Sequence, residues 1–292
     1  MYKLITVFII CFLASTSIFA QNIDQTSNKV STSVKSKKHL SSSILLWMRT
    51  DKPRQAGMDR WKGPHARIIS SNKGLYEYRQ IHFAEANIGL WPKIIGVETA
   101  IPQDRKVDGV ADVTLKNLFS IFKGKKQNKL AYADEVNLFK RTILYAAFPK
   151  NSKWYEVAAS SNKIGTRSMV FFRKKEGVSD KDFKKFFNDE LVPSLANSSN
   201  LQELRSKYYN KWKQKQWNTP NVAHDNPTEV QFQASLILGF MDKSAMKEFF
   251  NSDSLNKISP RIALYCTAVH AYDIEETLTF VKNGTELAVF EK

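Results

Sequence analysis

Residues 58–69 read M-D-R-W-K-G-P-H-A-R-I-I. Trp61 and His65 stand four apart in a helical setting, which puts both on one helix face. Pro64 lacks a backbone N–H and tends to end or bend a helix near the histidine. The expected product is a semi-exposed imidazole beside an aromatic plate. An unperturbed imidazole titrates at about 6.5, so His65 is the candidate catalytic acid or base. The competing assignment is a helix-terminal histidine that caps carbonyls and packs on Trp61.

A second candidate group lies in residues 75–83, L-Y-E-Y-R-Q-I-H-F. Alternation on a strand puts Tyr76, Tyr78, Gln80 and His82 on one face and Leu75, Ile81 and Phe83 on the other. The polar-aromatic face suits a pocket with a few oriented donors, or equally the filling between two sheets. Trp61, Tyr78 and His82 are the expected substrate-shaping residues. Arg49, at the end of an earlier strand, is a candidate for an anionic substrate group, with a surface ion pair as the alternative. The histidines at 39, 65, 82, 224 and 270 show no zinc-ligand spacing, and no Cys-x-x-Cys exists. A haem would need a strand histidine such as His270; no metal and no cofactor is expected. Lys211 to Trp217, K-W-K-Q-K-Q-W, interleaves cations with aromatics. That suits a membrane interface or single-stranded nucleic acid, or a solvated loop with one tryptophan tucked inward.

The elements that must hold these residues repeat. Residues 43–50 read as a strand, 53–70 as a helix and 75–83 as a strand. The order recurs as a strand at 169–175, a helix opened by Ser179 and Asp180, and a strand at 201–209. Arg49 corresponds to Arg173, and Pro64 roughly to Pro193. The first half continues with a strand at 108–115, helical pieces at 116–126 and 133–139, and a strand at 141–148. The second continues with a strand at 231–241, a helix at 244–255 and a strand at 264–272. Each half is β-α-β-β-α-β, the ferredoxin-like order. The fold class is therefore α+β: two tandem ferredoxin-like modules, 43–150 and 166–284, whose sheets cover each other within one chain.

Bulk properties fit an exported globular chain. It has 292 residues, 42% of them hydrophobic, and a net charge of +16. Residues 1–20 read as a signal peptide, with Lys3, an apolar run and Ala20 at the cleavage site; the expected location is periplasmic or extracellular. Residues 21–42, rich in Ser, Thr, Asn and Lys, read as a disordered linker. Cys11 leaves with the signal, and the remaining Cys266 reads as a buried small hydrophobe. The charge favours an anionic surface as a partner. No nucleic-acid motif accompanies it, so no specific nucleic-acid binding is expected.

The first half resembles the EthD-like family of the dimeric α+β barrel superfamily. The resemblance rests on W-K-G-P-H-A at 61–66, the Tyr-containing strand after Gly74, and D-G-V-A-D-V at 108–113 followed by Asp134 and Glu135. It covers roughly residues 48–140. The second half looks like a diverged copy, with Phe186 or Phe187 in place of Trp61 and no counterpart of His65. The resemblance implies a barrel of eight strands, closed here within one chain as a monomer or between chains as a homodimer. It implies proton transfer by His65 on a small hydrophobic or aromatic molecule. The superfamily also holds members without known activity, so a non-catalytic module docking through its basic surface is the alternative.

Overall fold

A computed structural model describes residues 34–157 and 163–291. The expected signal peptide and residues 21–33 of the expected linker lie outside them. Eleven strands and eight α-helical segments form a mixed α+β fold with one large antiparallel sheet. The first half holds β1 (Ser36–Lys38), β2 (Leu40–Met48), β3 (Leu75–Phe83), β4 (Gly109–Leu115), β5 (Phe139–Ala147) and β6 (Ser152–Tyr155). The second holds β7 (Thr166–Lys174), β8 (Glu203–Tyr208), β9 (Ala234–Phe240), β10 (Cys266–Lys282) and β11 (Thr285–Glu291).

The disordered linker expected over 21–42 does not cover residues 36–42, which lie in or between β1 and β2. β1 pairs with β6, and Ser41 is buried with its hydroxyl 2.7 Å from that of Ser152. The polar side chains of 36–42 hid a segment whose pairing is carried by backbone groups. Likewise β6 runs past residue 150, and β11 past residue 284.

Strand order within the first half is β5-β2-β4-β3, and within the second β10-β7-β9-β8. In each, the fourth strand lies beside the first and the second is outermost. β3 and β10 join the halves: β10 pairs first with β7, from Cys266 to Asp273, then with β3, from Ile274 to Val281. At the other side β5 pairs with β2, and after a short turn at Pro149–Asn151 the chain pairs again, as β6, with β8.

The run I-L-L-W-M in β2 is apolar at every position because both faces of the sheet are covered. Ile44, Leu46 and Met48 pack on the helices, with Trp61 and Ala66. Leu45 and Trp47 face the other way and share a core with Met169, Phe171, Ile237 and Tyr272 of the second half. That shared core also carries charge. Arg79 pairs with Glu203 at 2.9 Å and Asp112 at 3.3 Å, Arg167 pairs with Glu203 at 2.7 Å, Lys207 with Asp112, and Arg205 with Glu77. Burial works against the Asp112 carboxylate, but Lys207 and Arg79 beside it hold its pKa below the ordinary value.

The first-half helices are α1 (Arg54–Arg60), a π-turn (Trp61–His65), α2 (Ala66–Ser70), α3 (Ser120–Lys123) and α4 (Lys125–Glu135). Those of the second half are α5 (Asp180–Lys185), a π-turn (Phe186–Leu191), α6 (Val192–Ala196), α7 (Lys243–Phe250) and α8 (Asp253–Tyr265). Pro64 does not end the helix. The turn around it widens, Ala66 donates to the Trp61 carbonyl five residues back, and the helix runs on to Ser70. Cys266 is buried, as its strand-like neighbours suggested.

Candidate functional site

A cavity of about 350 Å³ lies between the first half's sheet and its helices. Ile44, Leu46, Ala111 and Leu144 form its apolar floor, and Trp61, His65 and Ile69 one wall. α4 supplies Glu135, and the loop after β8 supplies Asn210, Gln216 and Trp217.

Trp61 can lie flat on the sheet because position 109 is glycine. A Cβ there would stand 2.7 Å from Trp61 Cζ3 and 2.7 Å from the Ile81 carbonyl oxygen. The indole stacks on His82, ring centres 4.4 Å apart and planes 16° from parallel, and its buried Nε1 has no acceptor. Behind it, Gln80 Nε2 donates to the Trp61 carbonyl and the Tyr78 hydroxyl, each at 2.8 Å. Gln80 Oε1 accepts from His82 Nε2 at 3.1 Å. Burial lowers the His82 pKa to about 4, so the ring is neutral at neutral pH.

His65 is buried, and its Nδ1 donates to Asp134 Oδ2 at 3.0 Å. Arg60 Nε, at 3.1 Å, and Nη2 hold the other oxygen of the carboxylate. The hydrogen bond from His65, with Arg60 beside it, keeps the Asp134 pKa below its ordinary value. An ionised carboxylate on Nδ1 fixes the ring and leaves Nε2 as the nitrogen open to a ligand. Phe139 meets the imidazole edge-on, ring centres 5.9 Å apart.

Glu135 is the second acid–base group on the wall. Trp217 Nε1 lies 3.2 Å from each of its oxygens, and Thr219 Oγ1 donates to one of them. Burial nevertheless raises its pKa above the ordinary carboxylate value.

Of the five residues expected at a site, Trp61, His65 and Tyr78 line this one cavity. His82 supports Trp61 from behind and opens on a separate polar recess with Arg54, Asp59 and Lys62. Arg49 does not join them. Its guanidinium holds Asp51 through two bonds of 2.9 and 2.7 Å and the Val136 carbonyl at 2.7 Å, at the surface. Its place at a strand end made it look available; the carboxylate two residues on takes it up. Asp134, Glu135 and Trp217 were missed as site residues. Asp134-Glu135 entered only through the resemblance, and Trp217 only as the inward tryptophan of a basic loop. No spacing rule links residues 69 or 82 positions apart.

The stretch 211–217 is such a loop: Trp217 is buried, while Lys211, Lys213 and Lys215 are exposed. His270 donates from Nε2 to Glu98 at 2.8 Å. Among the described residues, no group of three or more His, Cys, Asp or Glu side chains is placed to hold a metal.

No family model and no curated protein matches the chain. Solved structures do. A provisionally assigned monooxygenase from Fusobacterium nucleatum aligns with 88% of this chain and 98% of its own, with a TM-score of 0.50 and 8% identity. A second, from Lactobacillus acidophilus, aligns over 88% and 100%, with a TM-score of 0.48 and 8% identity. A chlorite dismutase variant from Candidatus Nitrospira defluvii aligns over 82% and 93%, with a TM-score of 0.43 and 5% identity. At such identities the likeness is one of fold, and the chain shares with the Fusobacterium protein a mixed α+β architecture built on a large antiparallel sheet.

Proposed function

We propose that the chain binds a small hydrophobic or aromatic molecule in the first-half cavity and converts it by proton transfer. One observation carries the reading: an apolar cavity whose wall holds an imidazole already oriented by a buried carboxylate. In this reading His65 Nε2 takes a proton from an acidic C–H of the ligand. The C–H bond breaks, the N–H bond forms, and Asp134 stabilises the imidazolium. The negative charge moves to the ligand's adjacent carbonyl oxygen. The Tyr78 hydroxyl, which accepts from Gln80, keeps its own proton to donate to that oxygen.

The finer architecture belongs to the same reading. The chain is two tandem ferredoxin-like modules that close a barrel within one chain, EthD-like in its first half and working as a monomer. The repeated strand order, the two π-turns, the pairing of β10 with β3 and that of β6, which follows β5, with β8 support it. Export is proposed from residues 1–20.

The test uses 2-tetralone in deuterated buffer, with exchange at its acidic C–H followed by NMR. The chain should accelerate exchange, and His65→Ala should remove the acceleration while 2-naphthol still binds. Equal exchange with wild type, His65→Ala and no protein would end the catalytic reading; absence of 2-naphthol binding would end the pocket reading.

A further inference from the structure

Ten large apolar side chains are exposed among the described residues, and six of them are Leu118, Phe119, Ile121, Phe122, Leu130 and Phe148. Phe119 is 78% exposed and Phe122 67%. They do not project by accident of a loose loop. Ser120, in their midst, is buried: its carbonyl packs where a Cβ on Gly74 would be, and its hydroxyl donates to Asn117 Oδ1 at 3.1 Å. With that residue pinned inward, its neighbours on both sides face out. Leu118 and Phe119 also border a shallow groove with Leu40, Leu115 and Pro149.

The charge around them has one sign. Residues 113–133 contain no Asp or Glu and five lysines: Lys116, Lys123, Lys125, Lys126 and Lys129. All five are exposed, and none forms an ion pair among the described residues. Lys125 Nζ stands 5.9 Å above the Phe122 ring, so cation and aromatic share one small area. Exposed aromatics ringed by unpaired lysines match an anionic lipid interface: the rings enter the acyl boundary and the ammonium groups remain among the headgroups. A protein partner would have to offer apolar area and acidic groups together; a bilayer offers both without a specific shape.

We infer that residues 117–130 seat the protein on an anionic lipid bilayer and that the cavity behind them takes its ligand from that bilayer. The second clause rests on the ligand-binding reading above. Its structural basis is that Ser120, Ile121, Gly124, Gln127 and Asn128 are themselves part of the cavity wall. The segment that meets the lipid is thus the segment that closes the cavity, and the ligand class becomes an apolar molecule that partitions into membranes.

The test is flotation of the full chain with vesicles of equal parts phosphatidylcholine and phosphatidylglycerol, beside vesicles of phosphatidylcholine alone. Binding should require phosphatidylglycerol and weaken steeply between ~0.05 and ~0.5 M salt. The variant Phe119→Ser/Phe122→Ser, whose side chains support no core, should lose about tenfold or more in partitioning with an unchanged circular dichroism spectrum. Lys123→Glu/Lys126→Glu should lose the phosphatidylglycerol preference. No flotation, or flotation that ignores both variants, would overturn the inference. So would a concentration-dependent dimer broken by the phenylalanine variant without any flotation, which would assign the patch to a second copy of the chain. Titration with 2-naphthol in lipid-free buffer keeps the two readings apart. Naphthol binding without flotation removes the membrane inference alone; flotation without naphthol binding removes the pocket.

Discussion

Trp217, from the second half, places its indole N–H 3.2 Å from both oxygens of Glu135, on the last residue of a first-half helix. The cavity is therefore a property of both halves, although every acid–base group on its wall comes from the first. The second half, which looked like a diverged copy without a counterpart of His65, supplies a wall and donors to a carboxylate.

Removing that donor has a direction. Trp217→Phe keeps the ring but leaves the buried Glu135 carboxylate with one donor fewer. The expected loss is about 1–3 kcal/mol of stability, read from the urea midpoint. The loss should be larger where the carboxylate is ionised, at high pH, than where it is protonated.

Asp134→Asn tests positioning separately from chemistry. The amide still reaches His65 Nδ1 but no longer stabilises an imidazolium or fixes the tautomer. Exchange at 2-tetralone should fall by about 10²–10⁴-fold while 2-naphthol affinity stays within about threefold. An equal loss in both would mean that Asp134 only holds the cavity together.

His82 and His270 set an acid limit to stability. Burial lowers both, each to about 4. An unfolded histidine takes up a proton as pH falls through about 6.5, while these two in the fold do not until about 4. Stability should therefore fall between these values, by up to about 3 kcal/mol per residue, and flatten below them where these two groups are concerned. Denaturant midpoints measured across that range check this, and His82→Asn should make the slope shallower.

The charges between the halves give a fourth test. Lys207 is nearly fully buried on Asp112 and also donates to Ser43 Oγ at 3.0 Å. Lys207→Met leaves the buried Asp112 carboxylate with Arg79 alone and should cost up to about 3–5 kcal/mol. Adding Asp112→Leu should recover at least half of it, because Arg79 keeps Glu203 and Glu77 as partners. A purely additive double variant would show that the pair does not couple.

Period and turn residues made the repeated strands and first helices readable before any coordinates. β2 shows why: I-L-L-W-M is a run only a doubly covered strand needs. Three things escaped. Glu77 and Arg79, given no role in the strand's alternation, sit on the face of β3 toward the second half; their counter-charges come from β8, more than a hundred residues on. β1 and β6 pair through backbone atoms, which side-chain composition does not report. The wide turn at Pro64 was not foreseen: the helical pattern ran through it to Ser70, with the proline expected to end or bend the helix, and the wider turn absorbs the lost N–H. For the site, the aromatic plate and the imidazole were readable from one short run, whereas Asp134, Glu135 and Trp217 reach them only through tertiary contact.

That wider turn has a further consequence. A π-turn is in effect one residue inserted into an α-helix, and its wider turn keeps everything that follows in phase. Deleting Gly63, whose Cβ position has no atom within 4 Å, would restore regular pitch with little steric cost. Winding the same residues at regular pitch, without that deletion, would instead rotate the rest of the helix by about 100° about its axis. His65 would turn away from Asp134 and from the cavity without a single change in the residues that define the site. The histidine's aim is thus encoded by the width of the turn as much as by residue identity, and a search by conserved letters alone would not detect its loss.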